Sequence, residues 1–135
     1  MAANRFPVLL LIFILLACST DRIDADLTPL DIDFAWPEAQ KCFDPRSPAI
    51  TLSGLPPGVA AFHVRMWDIS NMHDHGGGTV PNDNAGTIPL GALKDYQGPC
   101  PGWGSPRFQI TVKALDQAGV VVAMGKKTKV YPPKD

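Results

Sequence analysis

The chain has 135 residues, with 12 Lys+Arg against 13 Asp+Glu and a net charge of −1 at pH 7, a length that suits one domain. A balance so close to neutral, with no basic stripe interleaved with aromatics, excludes nucleic acid as the expected partner. The 14 prolines and 12 glycines are spread throughout, which disfavours long helices and predicts short strands joined by turns.

The first element reads as an export signal. Arg5 supplies a positive charge, residues 8–16 form an almost unbroken apolar run, and Leu15-Leu16-Ala17-Cys18 follows. The run is too short to span a bilayer and matches a signal-peptide core, giving a signal over residues 1–17. Leu-Leu-Ala-Cys resembles the bacterial lipobox, whose cysteine is acylated and becomes the mature N-terminus. That resemblance implies a lipid anchor at Cys18, so the membrane is a partner to which the chain is anchored without spanning it. It further implies the bacterial cell envelope, on the periplasmic face, at the outer membrane in a Gram-negative host. An ordinary secretory peptide with an incidental cysteine is the alternative.

Residues 18–29 are polar, with Asp21, Asp24 and Asp26, and read as a tether; residues 30–135 read as the folded domain. Residues 30–36 alternate as Leu-Asp-Ile-Asp-Phe-Ala-Trp, a half-buried strand with Leu30, Ile32, Phe34 and Trp36 on one face. A connector over 37–48 carries Cys42, and a short strand over 49–53 stops at Gly54-Leu55-Pro56-Pro57-Gly58. The strand over 59–68 points Phe62, Val64 and Met66 to a core and His63, Arg65 and Trp67 away from it. Residues 69–92 read as loop, including Gly76-Gly77-Gly78. A stiff Gly/Pro loop over 96–106 then leads into a strand that buries Phe108, Ile110, Val112 and Ala114. Asp116-x-x-Gly119 is a hairpin turn before an apolar run over 120–124, and Lys126, Lys127 and Lys129 form a solvated edge. The sum is an all-β chain, expected as an antiparallel β-sandwich. Export places Cys42 and Cys100, the two cysteines left after acylation of Cys18, in an oxidising compartment and predicts a disulfide between them. A shared zinc ion is the alternative, though without a Cys-x-x-Cys spacing.

Three blocks of residues carry a family resemblance. They are Ser47-Pro48-Ala49-Ile50-Thr51-Leu52-Ser53-Gly54-Leu55-Pro56, the strand ending in Asp68, and Gly98-Pro99-Cys100-Pro101 leading to Pro106-Arg107-Phe108. Together they resemble the phosphatidylethanolamine-binding protein family, also called Raf-kinase-inhibitor-like proteins, over residues 34–124. The likeness is greatest to short, exported bacterial members. The resemblance implies a β-sandwich lacking the usual C-terminal helices, with a small pocket for phosphate-type head groups. Carried over, that pocket uses Asp68, His75 and Gly98, with Pro99 and Pro101 shaping its rim. Its cleft is expected between the loop over 68–78 and the loop over 98–107, with Trp103 and Phe108 as an apolar wall. A histidine and loop N–H groups donate to phosphate, and the aspartate orients the ring. The chain departs from the family pattern at Ile69-Ser70 after Asp68, at Pro106 where a second pocket histidine stands, and at Phe108 in place of tyrosine.

The implied role is a non-catalytic binding module for a small anionic ligand. An inhibitor-like or other docking module for an envelope protein is the alternative, and a metal-binding protein using His73 and His75 is a third reading. No Gly-x-Ser-x-Gly elbow is present, Ser53 and Ser105 lie in turns, and no reaction or cofactor is expected. Trp67 and Trp103 are candidates for stacking on a ligand or for packing.

Overall fold

The computed structural model describes residues 27–100, 102 and 104–133. The expected signal segment, most of the tether, Cys18, Pro101 and Trp103 lie outside the described residues. Nine strands and no helix occur among those described: β1 (Thr28–Pro29), β2 (Asp31–Ala35), β3 (Ala49–Ser53), β4 (Ala61–Asp68), β5 (His73–Pro81), β6 (Thr87–Ile88), β7 (Asp95–Tyr96), β8 (Arg107–Leu115) and β9 (Val121–Val130). No helix among them is long and apolar enough to cross a membrane.

The strands form two sheets. The larger runs β1-β9-β8-β4-β5-β7 and the smaller β2-β3-β6, and every pairing is antiparallel except β1 with β9. The period-2 alternation explains how they meet. Phe62, Val64 and Met66 on β4 and Phe108, Ile110, Val112 and Ala114 on β8 face inward from the larger sheet. Ile32, Phe34, Ile50, Leu52 and Ile88 answer them from the smaller, and all of these residues belong to one buried cluster. Full burial of side chains this size contributes about 1.5–3 kcal/mol each, so this shared core is the main favourable term.

Two elements depart from the sequence reading. Residues 73–81 form strand β5, where a loop was expected, because His-Asp-His-Gly-Gly-Gly has no apolar alternation; its backbone is held instead by β4 on one side and β7 on the other. The lysine cluster lies on β9, which extends through it to Val130, and two of its lysines are partnered. Lys129 Nζ lies 3.0 Å and Lys127 Nζ 3.6 Å from Asp33 on β2, and Lys129 Nζ also donates to the Phe34 carbonyl. These contacts, with Trp36 Nε1 donating to the Val130 carbonyl at 2.8 Å, tie the two sheets along one seam. The Asp33 carboxyl is held below the usual carboxylate range, first by its hydrogen bond from Lys129.

The turns are as their residues dictate. Asp116 Oδ1 accepts the N–H groups of Ala118 and Val120 at 2.9 Å each, closing the β8–β9 hairpin over Gly119. Cys42 and Cys100 form a disulfide that fastens the β2–β3 connector to the Gly/Pro loop. Next to it, the Gly98 N–H donates to the Asp44 carbonyl at 2.8 Å. Asp44 is itself clamped by Arg46 at 2.6 Å, an ion pair that depresses its carboxyl pKa.

Candidate functional site

Asp68 ends β4 on the inward side. Alternation places it in line with Phe62, Val64 and Met66, where the core opens to solvent, and it is only 5% exposed. A carboxylate so buried needs hydrogen bonds. It takes them from its own turn: Ser70 N–H at 2.9 Å and Asn71 N–H at 3.0 Å reach Oδ1, and Asn71 Nδ2 reaches Oδ2 at 2.8 Å. This Asx-type turn aims the chain back into β5.

Alternation puts both histidines of β5, two residues apart, on the same side, and a bulge follows at His75 and Gly76. Arg65 pairs with Gly77 and Trp67 with Asp74, so His75 and Gly76 together stand opposite the single residue Met66. Gly76 takes φ 78° there, and its N–H donates to Asp74 Oδ1 at 2.8 Å. Arg65 pairs with Asp74 on the outer face. The tight packing of β5 requires its glycines. A Cβ on Gly76 would strike the Asp95 carbonyl oxygen, and one on Gly77 the Val64 carbonyl oxygen. His73, register partner of Asp68, and His75 end with ring centroids 4.9 Å apart, edge to face.

His75 is 6% exposed and packs edge-on against Phe108 at 5.2 Å. Its Nδ1 lies 2.8 Å from the Gln97 carbonyl oxygen, which can only accept, so Nδ1 carries a proton. The ring is therefore oriented by Gln97 and not, as the sequence suggested, by Asp68. Burial pushes its pKa below the ordinary histidine value, outweighing the Gln97 bond, and His73 adds to the lowering. A neutral ring with Nδ1–H leaves Nε2 as a lone-pair acceptor.

These groups line a cleft of about 350 Å³ formed by Phe43, Asp68, Asn71, His73, His75, Cys100, Gly102, Pro106 and Phe108. The structure thus brings together Asp68, His75 and Phe108, which the sequence named. It places Gly98 and Pro99 behind the wall, both buried and absent from the lining. A Cβ on Gly98 would strike the Gln40 amide, so this glycine serves close packing. Trp67 lies on the outer face of β4, 36% exposed and turned away from Asp68. Residues the sequence reading did not single out complete the site: Asn71, Phe43 and the Gln97 carbonyl. Only Asn71 had a signal, the Asp-x-Ser-Asn turn. Phe43 and Met72 flank the opening at φ 56° and 55°, and both are exposed, at 57% and 73%. Left-handed backbone under such side chains is strained.

The described lining contains no hydroxyl nucleophile, and its cysteine is in the disulfide. Among the described residues no three His, Cys, Asp or Glu side chains come together in an arrangement able to hold a metal ion. A larger hollow of about 540 Å³ lies at the seam of the sheets, between Trp36, Lys129, Val130 and Pro133. The one charged group lining it among the described residues, Lys129, is already bound to Asp33 and Phe34. In comparison with known proteins, the chain matches no family model and no curated relative.

Proposed function

We propose that the protein is a non-catalytic ligand-binding module of the bacterial envelope, lipid-anchored through Cys18, with a β-sandwich of the phosphatidylethanolamine-binding type. One observation carries the binding reading. Asp68 and His75, both more than nine-tenths buried, line an open cleft in which the free nitrogen of His75 has no hydrogen-bond partner among the described residues. Buried polar groups are ordinarily satisfied, and one left facing a cleft is a place for a ligand atom. The phosphate-type anion that the resemblance implies enters such a site by bringing a proton or by having a histidine take one up. Either route makes its binding strengthen as pH falls.

Native mass spectrometry of the mature chain from its own host tests both halves. The expected spectrum shows acyl mass on Cys18 and a non-covalent small-molecule adduct that His75→Gln loses. An adduct held equally by both forms defeats the cleft reading, and an unmodified cysteine defeats the anchor.

A second reading, docking of an envelope protein, is favoured by the exposed Phe43 and Met72. Two large apolar side chains at the rim of a polar cleft resemble the anchors of a small interface.

A further inference from the structure

We propose that near neutral pH the head group selected by this cleft is a positively charged amine, in preference to the phosphate-type anion that the resemblance implies. The inference rests on the reading of the cleft as a binding site and concerns which chemistry fills it.

The argument is the sign of what faces inward. Asp68 contributes a full negative charge. Its three hydrogen bonds all come from neutral donors of its own turn, and no ion pair to it exists among the described residues. His75 contributes a lone pair at Nε2, because its Nδ1 proton points at the Gln97 carbonyl. Asn71 uses one amide N–H on Asp68, which leaves its second N–H and its carbonyl oxygen, a further acceptor. No lysine or arginine lines the cleft among the described residues. Pro101 and Trp103, in the same loop, carry no cation by composition. Arg107 precedes inward-facing Phe108 on β8, so alternation turns it to the outer face, opposite Val130. His73, exposed at the rim, is the remaining titratable group facing the opening.

A dianion placed here meets a carboxylate and an imidazole lone pair with no counter-charge. An ammonium meets the opposite: a counter-ion in Asp68, acceptors in Nε2 and the Asn71 carbonyl, and aromatic rings in Phe43 and Phe108 for its methylenes and charge. Two sources share this chemistry: a soluble amine, or a lysine side chain offered by a protein.

The test is a set of titrations of the full chain in mild detergent near pH 7.5, where the imidazole is mainly neutral. The probes are n-butylammonium, n-butanol, the tripeptide Gly-Lys-Gly and inorganic phosphate, followed by the ring resonances of His75. We expect an amine to saturate, with n-butanol weaker by at least about tenfold, a difference of about 1.4 kcal/mol. Asp68→Asn keeps an oxygen for the Ser70 and Asn71 N–H groups but removes the charge. It is expected to lower amine affinity about tenfold while leaving n-butanol unchanged, a pattern that loss of fold does not produce. Phe43→Ala, at an exposed rim position, is a second variant expected to weaken the amine. Saturation by the tripeptide and not by n-butylammonium assigns the amine to a protein lysine. Saturation by phosphate while both amines fail overturns the proposal and leaves the cleft as a site. No perturbation of His75 by any probe overturns the proposal and the cleft reading together.

Discussion

Removing the Cys42–Cys100 disulfide is the sharpest test of what holds this small domain together. The two residues are 58 positions apart, and the chain-entropy relation for a loop of that size gives about 14 cal/mol/K, or about 4 kcal/mol at 25 °C. That is a large share of the roughly 5–15 kcal/mol by which a domain of this class is stable. Other bonds across the same junction remain in Cys42→Ala/Cys100→Ala: the Gly98 N–H to Asp44 carbonyl at 2.8 Å and the Arg46 clamp on Asp44. The native fold is therefore expected to form, with its unfolded state far less restricted. Urea unfolding followed by tryptophan fluorescence should show the midpoint falling and the slope rising as the freed unfolded chain exposes more surface, and wild type treated with dithiothreitol should match the double variant. A loss below about 1 kcal/mol would refute the reasoning, because the cross-link would then not restrict the unfolded chain as the loop length requires.

Gly77→Ala should destabilise the domain by about 1–3 kcal/mol, since its methyl must displace the β4 backbone at Val64; thermal melts comparing it with Gly58→Ala, where a Cβ meets nothing within 4 Å, separate steric from backbone cost. The buried His75 gives a pH dependence of definite sign. Its folded pKa is depressed, so the unfolded chain binds the proton more tightly and stability declines as pH falls below about 6.5. Denaturant midpoints between pH 7.5 and 5 should show that decline in wild type and a shallower one in His75→Gln; parallel curves would mean the ring is not buried as described.

Sequence legibility followed the hydrophobic alternation. β2, β3, β4 and β8 were readable because Leu30 to Phe34, Ile50 and Leu52, Phe62 to Met66 and Phe108 to Ala114 recur at every second position on a half-buried face. β5 was not, because glycine and histidine carry no periodic signal; its place is fixed by neighbours that tolerate only a bare Cα. Lys127 and Lys129 looked solvated for a related reason: their partner Asp33 is nearly a hundred residues earlier, and local composition holds no trace of it. Of the site, Asp68 and His75 were legible as chemistry and the His-x-His spacing put His73 and His75 on one side, whereas the bulge at His75 and Gly76 and the carbonyl that orients His75 are backbone features. Such features leave no mark in residue identity beyond a glycine.

The parallel clasp of β1 on β9 also fixes the polarity of the molecule. Thr28 stands beside Ala123, at the hairpin end of β9, while the cleft lies at the end where Phe108 stands beside Lys129. At about 3.3 Å per residue, the point where the polypeptide enters the sheet and the mouth of the cleft are roughly 20 Å apart along one strand. The entry of the chain into the sheet and the mouth of the cleft therefore lie at opposite ends of β9.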